Sequence, residues 1–335
     1  MIEINNKVTP IPLETYRLYF SGVMDNGRSY RARGTQYSKE VIMKALKGMC
    51  VALCTPFMED GEQLDETALR NHIDSMLEAG VHIILVCGGT GEFAYLRVDE
   101  RKRIAEIASR HIDGRAAFMV QTSAINTVDA IEFSKHAEGL GADCLLILPP
   151  YFEGPNEGGV YYHYEKIAKA VKIPIMVYNI PASTGFDIKP SFFNRLIEID
   201  NVRHIKDSTG DLIRIQELLA VAGDKAGIFN GGDPIVFFSL VAGCPGCVWG
   251  GTNAMPKESV ELYNLATTGK LVEAANLWKR IFPSNLFFWT HVYNAAVKAA
   301  TNLSGRKVGP CRKPVLPLTE SEMAELKEAL KPLGI

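Results

Sequence analysis

The stretch that decides the fold is NVRHIKDSTGD, residues 201–211. A short run with the pattern of a buried strand ends on Lys206, and a polar turn containing Gly210 follows at once. Lysines ordinarily keep their charged ends in water. A strand that delivers a lysine into a loop therefore marks that loop as a place to look for chemistry.

The same unit recurs along the chain from residue 48. An apolar run ends in polar or glycine residues, and an amphipathic stretch with helical spacing follows. The runs are MCVALC (49–54), HIILVC (82–87), AAFMVQ (116–121), DCLLIL (143–148), IPIMVY (173–178), RHIK (203–206), GIFN (227–230) and GCVW (246–249). They are continuous rather than alternating, as parallel strands buried on both faces are. Between them, residues 65–80 read as a helix with Asp65 as N-cap, Leu69, Ile73, Met76 and Leu77 on one face, and Gly80 as the stop. Residues 99–114 and 127–141 behave alike, with Asp99 and Thr127 as expected N-caps and Gly114 and Gly139 as stops. Eight such units over about 200 residues are the count and size of a (β/α)8 TIM barrel. The rival, an open doubly wound sheet, lacks here its usual G-x-G-x-x-G after the first strand.

The chain is accordingly read as an N-terminal extension (1–47), a barrel (48–256) and a C-terminal helical region (257–335). The extension, rich in Tyr and Arg, is expected to pack on the barrel or on a partner subunit. In the tail, KESVELYNLATTGK, LVEAANLWKRIF, NLFFWTHVYNAAVKAATNLSG and ESEMAELKEALKPLG read as separate helices. The cluster Phe287, Phe288, Trp289 is expected to be core or subunit contact rather than a ligand box.

Of the 335 residues 47% are hydrophobic and 22% charged, with a net charge of -2. That allows a sizeable core and gives no electrostatic footprint for nucleic acid or a membrane surface. No apolar run reaches transmembrane length, and the first residues have no apolar signal core. The seven scattered cysteines fit reduced thiols, so a cytoplasmic protein is expected. Cys244 and Cys247 have CxxC spacing, but Cys50 and Cys54 make a poor second pair. Buried small hydrophobes are the expectation, with no metal.

In a barrel of this type the chemistry sits at the C-terminal ends of the strands. Those ends read CTPF, CGGTGEF, QTSA, LPPYF, YNIPASTG, KDSTGD, NGGD and WGGTN. They hold one lysine and two tyrosines, no histidine and only sparse acids, which supports neither a metal site nor a Ser-His-Asp set. An ammonium in a dry barrel mouth is costly, and the neutral amine can attack a ketone to form a Schiff base. The iminium withdraws electrons, so a nearby carbon–carbon bond can break or form. Tyr178, ending the preceding strand, is placed to shuttle protons. GGTGE (88–92) offers backbone N–H groups and the Thr90 hydroxyl to a carboxylate. Each feature has a plainer explanation: a lysine salt-bridged to a neighbour such as Asp207, a tyrosine in the core, a tight glycine turn. Their convergence on one barrel mouth points instead to an enzyme for 2-oxo acids.

At these residues the chain resembles the dihydrodipicolinate synthase/N-acetylneuraminate lyase family of class I aldolases. The stretches GGTGEF, LPPYF, YNIPASTG, IKDSTGDLIRI, FNGGD and GPCRKP carry the resemblance, which covers about residues 50–330. It implies a TIM barrel with a C-terminal helical region, commonly a homotetramer, that binds pyruvate or a related 2-oxo acid on the lysine with no separate cofactor. Carried over by position, it implies that Lys206 forms the Schiff base, Tyr178 relays protons, and Thr90 and Gly91 hold the carboxylate.

The chain also departs from that pattern. Lysine-pathway synthases resemble it less at Gly89, where they have Thr, at Phe152, where they have a Tyr reaching the neighbouring subunit's site, and at Ser183, where they have an Arg for the second substrate's carboxylate. Serine cannot replace the bidentate guanidinium. Sialic acid lyases have Glu where Pro234 stands and Ser where Gly251 stands. GGTGEF resembles the loop of 5-dehydro-4-deoxyglucarate dehydratases. IPASTGFDI, KDSTGDLIRI and GPCRKP resemble 4-hydroxy-2-oxoglutarate and 2-keto-3-deoxy sugar acid aldolases. Asp233 and Ser208 are expected to hold substrate hydroxyls, with Ser183 lining the distal pocket. The expected activity is cleavage or formation of a 4-hydroxy-2-oxo acid with release or use of pyruvate. The alternatives are a Schiff-base dehydratase, a dihydrodipicolinate synthase or sialic acid lyase, and a non-catalytic barrel that binds keto acids.

Overall fold

The structure, a computed structural model, describes residues 46–335. The expected N-terminal extension lies, apart from residues 46 and 47, outside the described residues. Eight parallel strands pair in sequence order and the eighth closes on the first. They are β1 (Gly48–Ala52), β2 (Ile83–Val86), β3 (Ala117–Gln121) and β4 (Cys144–Ile147), then β5 (Ile175–Asn179), β6 (Val202–Asp207), β7 (Gly227–Asn230) and β8 (Gly246–Trp249). Each expected run contains or overlaps its strand.

The helices between them are α1 (Glu66–Glu78), α2 (Val98–Ile112), α3 (Thr127–Gly139), α4 (Glu157–Ala170), α5 (Pro190–Leu196), α6 (Leu212–Ala222) and α7 (Val236–Val241). After β8, α8 (Pro256–Thr267) packs on β1 and α7. Asp65 caps α1, accepting from the Ala68 backbone N–H at 2.8 Å. Two expected caps shift by one or two residues. α2 starts at Val98, because the Glu100 carboxylate reaches back to the Arg97 backbone N–H at 2.8 Å and stabilises an earlier first turn than Asp99 would. Asn126, as strong a cap as threonine, takes the role expected of Thr127 and accepts from the Asp129 N–H at 2.8 Å.

The strand pleat sorts side chains into two cores. Cys50, Ile83, Leu85, Met119, Leu146, Met176, Tyr178, Phe229 and Val248 fill the barrel interior. Val51, Ile84, Val120, Leu145, Ile147, Val177 and Ile205 point outward against the helices. Burying each large apolar side chain contributes about 1.5–3 kcal/mol, which explains why both faces of every strand read as apolar. The cysteines behave as small hydrophobes: six are buried, and all seven are free. Among the described residues no group of three or more potential metal ligands gathers, and no helix is long and apolar enough to cross a membrane.

Three further helices follow: α9 (Leu271–Thr290), α10 (Tyr293–Leu303) and α11 (Glu320–Leu330). Here the expected boundaries change. LVEAANLWKRIF and NLFFWT form one helix running through Pro283. Its buried stripe continues from Ala274, Leu277, Trp278 and Ile281 to Phe287 and Phe288, and that packing outweighs the one backbone bond the proline removes. The chain breaks instead at His291, whose ring stacks on Phe287 with centroids 3.8 Å apart. This break brings the start of α10 over the barrel mouth.

One ionic knot ties the C-terminal region to the loop after β2. Glu92 takes a left-handed backbone conformation (φ 59). Its carboxylate lies 2.7 Å from the Lys298 Nζ, and both side chains are almost fully buried. The other oxygen accepts from the Arg312 backbone N–H at 2.8 Å. Lys298 also donates to the Pro310 carbonyl at 2.7 Å, and the Arg312 guanidinium grips Glu100 at 2.6 and 2.9 Å. GPCRKP is thereby strapped to GGTGEF. Lys298→Met leaves Glu92 buried without its partner and is expected to cost about 3–5 kcal/mol in urea denaturation. A loss below about 1 kcal/mol would show that the knot does not hold the loop.

Candidate active site

Lys206 is the penultimate residue of β6. It points into the barrel and is only 6% exposed. β5 and β6 pair in a register that sets Tyr178 directly beside it, and its Nζ lies 4.0 Å from the centroid of the Tyr178 ring. Asp207, one residue on, faces the other way. It accepts from the Asn179 side-chain amide at 2.8 Å and from the Thr209 backbone N–H at 3.0 Å. Pleating thus removes the ion pair that the adjacent residues invited. Lys206 makes no ion pair among the described residues, and the amine has an aromatic face as its neighbour.

Asn179 passes this order outward. Its amide also donates to Asp187 at 3.2 Å, and Arg214 holds Asp187 bidentately at 2.7 and 3.0 Å. The guanidinium keeps the Asp187 carboxyl well below the usual carboxylate range. This network pins the loops after β5 and β6 from behind, leaving their inner sides free for a ligand.

A cavity of about 340 Å³ opens over Lys206. Of the residues expected to form the site, Lys206, Tyr178, Gly89, Thr90, Ser208 and Asp233 line it. Gly91, Ser183 and Gly251 do not. Gly91 is buried against the Leu53 carbonyl, where an added Cβ would lie at 2.9 Å. Ser183 is exposed in the one-turn helix Pro181–Thr184. Gly250, not Gly251, borders the cavity, and a Cβ at 251 would meet the Trp249 indole at 2.6 Å. Phe152 is 78% exposed, with a left-handed backbone (φ 63), and is not among the lining residues. A larger cleft of about 430 Å³ lies between α1 and the end of α10, lined by residues such as Asp65, His72 and Arg306, and it contains neither Lys206 nor Tyr178.

Three lining residues come from the helical tail and escaped the strand-end rule: Trp289 at the end of α9, and Tyr293 and Asn294 at the start of α10. The aromatic cluster therefore divides. Phe287 and Phe288 are core as expected, whereas Trp289, 41% exposed, walls the cavity over Gly210. Asn294 donates to the Gly89 carbonyl at 3.1 Å and fixes the glycine turn. The available signal was a pair of polar residues opening a helix directly after an aromatic run.

Asp233 is the buried acid of the cavity. Its oxygens accept from the Tyr293 hydroxyl, 3.0 Å from each, and from the Trp249 Nε1 at 3.1 Å. The carboxylate expected to hold substrate hydroxyls is thus already engaged. Burial pushes its pKa up to about 7, while the Tyr293 and Trp249 donors and the charge of Lys206 pull it down. Because the folded state holds the proton more tightly than the unfolded chain, the contribution of this group to stability is full below about pH 4 and is lost as pH rises to about 7. Asp233→Asn removes that penalty. Its stability relative to the wild type is expected to improve by up to about 4 kcal/mol between pH 4 and pH 8 in urea denaturation. A difference independent of pH would contradict this placement of the charge.

With this geometry in view, the comparisons with known proteins are specific. The model of the dihydrodipicolinate synthetase family matches residues 45–333. The 4-hydroxy-tetrahydrodipicolinate synthase of Syntrophobacter fumaroxidans is 36% identical over 292 residues, covering 86% of this chain and 99% of the relative. That of Clostridium perfringens is 34% identical over 291 residues, with the same coverage. The dihydrodipicolinate synthase of Acinetobacter baumannii, solved with pyruvate, superposes with a TM-score of 0.83 at 32% identity, covering 86% of this chain and 99% of that one. YagE, a prophage protein of E. coli K12 from the dihydrodipicolinic acid synthase family, also solved with pyruvate, gives a TM-score of 0.83 at 30% identity over 87% of this chain and 99% of its own. The chain belongs to the dihydrodipicolinate synthetase family and is a lyase of the class I aldolase type.

Proposed function

We propose that the protein cleaves, or reversibly forms, a 4-hydroxy-2-oxo acid or 2-keto-3-deoxy sugar acid through a Schiff base on Lys206, releasing or using pyruvate. The observation that carries this reading is the Lys206 amine, buried at the barrel mouth with a phenol ring against it and no ion-paired carboxylate among the described residues. Two of the similar solved structures hold pyruvate, the three-carbon half that such a cleavage releases.

The substrate carboxylate sits at the Gly89–Thr90 turn, with the Thr90 hydroxyl as donor. Lys206 Nζ attacks the C2 ketone, and loss of water leaves the iminium. The C3–C4 bond then breaks as the C4 hydroxyl gives up its proton and its O–H electron pair becomes the second bond of the product aldehyde, while the C3–C4 pair moves toward the iminium nitrogen to form an enamine. Tyr178 gives a proton to C3 and regains one from water. Hydrolysis frees pyruvate and Lys206. The scheme uses no group beyond the side chains and water. A homotetramer is the assembly that the family resemblance implies.

A second reading, 4-hydroxy-tetrahydrodipicolinate synthesis, is favoured by the names of the similar curated relatives. Gly89 and Ser183 weigh against it: the first carries no hydroxyl, and the second is neither a guanidinium nor at the cavity wall. The two readings separate by product. Coupled assays should show pyruvate released from 4-hydroxy-2-oxo acids of varied length. Condensation of pyruvate with an amino-acid aldehyde to the dipicolinate product, without such cleavage, would favour the synthase. Intact 2-oxo acid products with loss of water would identify a dehydratase. In the active assay, Lys206→Ala should leave less than a few per cent of turnover, and Tyr178→Phe should slow it by about 10²-fold or more. Near wild-type rates in either variant would remove that residue from the mechanism.

A further inference from the structure

The Schiff-base scheme leaves one arrangement in the cavity unused. Tyr293 opens α10 at the barrel mouth and points its phenol at Asp233, three residues beyond the end of β7. Both border the cavity, but they present different atoms to it. The Asp233 oxygens are taken by Tyr293, at 3.0 Å from each, and by the Trp249 indole N–H at 3.1 Å. The Asn285 amide holds the Asp233 main-chain carbonyl at 3.2 Å. The carboxylate is therefore held by two side chains and the backbone of its residue by a third, and Tyr293 borders the cavity beside it.

Glycines make room for this arrangement. A Cβ on Gly250 would come within 2.4 Å of the Tyr293 Oη and 2.9 Å of the Thr90 Oγ1. The two hydroxyls thus sit side by side above Gly250, one at the turn assigned to the substrate carboxylate and the other on the acid. The Tyr178 ring lies against the Lys206 Nζ. A second phenol, hydrogen-bonded to an acid, borders the same cavity with no task in the scheme.

We propose that Tyr293 is a second proton carrier of this site, with Asp233 as the store for its proton, and that it takes the proton of the substrate's C4 hydroxyl during carbon–carbon cleavage. This rests on the Schiff-base reading. As the C3–C4 bond breaks, the hydroxyl O–H electron pair becomes the second bond of the product aldehyde. The hydroxyl proton passes to Tyr293 Oη, and the phenol's own proton passes to an Asp233 oxygen. The C3–C4 electron pair flows into the Lys206 iminium, giving the enamine. In the condensation direction the same proton returns along the same path. Burial holds the Asp233 carboxyl at about 7, so it takes and gives back a proton near neutrality. The titratable groups around the pair are Lys206 on β6, Tyr178 on β5, Cys247 on β8 and Cys54 just after β1.

The test compares two reactions of the full-length enzyme. Exchange of pyruvate methyl protons with D2O, followed by NMR, needs Lys206 and Tyr178 but involves no C4 hydroxyl. Cleavage of a 4-hydroxy-2-oxo acid needs all of them. Tyr293→Phe is expected to lower the ratio of cleavage to exchange by about 10²-fold. Asp233→Asn is expected to lower it as well and to abolish the fall of wild-type cleavage on the acid side of neutrality. An unchanged ratio in Tyr293→Phe, or an equal loss of both reactions, would overturn the assignment, the second by assigning Tyr293 a purely structural role. A wild-type enzyme that exchanges no pyruvate protons would overturn the Schiff-base reading, and this inference with it.

Discussion

A buried amine without a counter-ion constrains everything around it. Taking an ammonium out of water is expensive unless a carboxylate stands beside it. At the end of β6 the nearest carboxylate in sequence, Asp207, is turned to the outside of the barrel by the strand pleat and held there by Asn179 and Thr209. Among the described residues Lys206 makes no ion pair and is left with the face of Tyr178 and an open cavity. A structural lysine in this fold would resemble Lys298, which is buried against Glu92 at 2.7 Å. The two lysines are chemically identical, and the difference in partners separates one tied into a buried ion pair from one that faces a cavity.

Much of the remaining structure serves to keep that cavity shaped and open. Glu92, Lys298 and Arg312 clamp the turn that carries Gly89 and Thr90, so the C-terminal region acts on the site through the backbone of a loop. Asn294 fastens the same turn from above. Where the walls come closest, side chains are absent: a Cβ on Gly231 would lie 2.5 Å from the Lys206 side chain and 2.2 Å from the Ser208 hydroxyl. The glycine-rich strand ends are therefore a consequence of packing several functional groups into one barrel mouth.

The barrel was legible because parallel strands buried on both faces leave an unmistakable pattern, and all eight runs became strands. That Lys206, Tyr178 and Thr90 border one cavity was legible because strand ends map onto one face of this fold. The rest was hidden for identifiable reasons. Tyr293, Asn294 and Trp289 reach the cavity from a helical tail whose route over the barrel no local rule determines. Pro283 masked the continuity of α9, since a propensity rule cannot weigh one lost backbone bond against a buried aromatic stripe. Asp233 was recognised as a site residue, but its engagement with Tyr293 and Trp249 spans 60 and 16 positions of sequence and is visible only in three dimensions. Ser183 and Gly251 were singled out by position within motifs, while the cavity wall is formed by their surroundings instead.

The central claim is that Lys206 reacts as a nucleophile with a 2-oxo acid. The most direct measurement is to incubate the protein with pyruvate, reduce with sodium borohydride, and locate the added mass by peptide mass spectrometry. The account requires one adduct, on the peptide containing Lys206. No adduct with pyruvate or with longer 2-oxo acids, or an adduct on another lysine, would contradict it, and the absence of any adduct would leave a barrel that binds keto acids without transforming them.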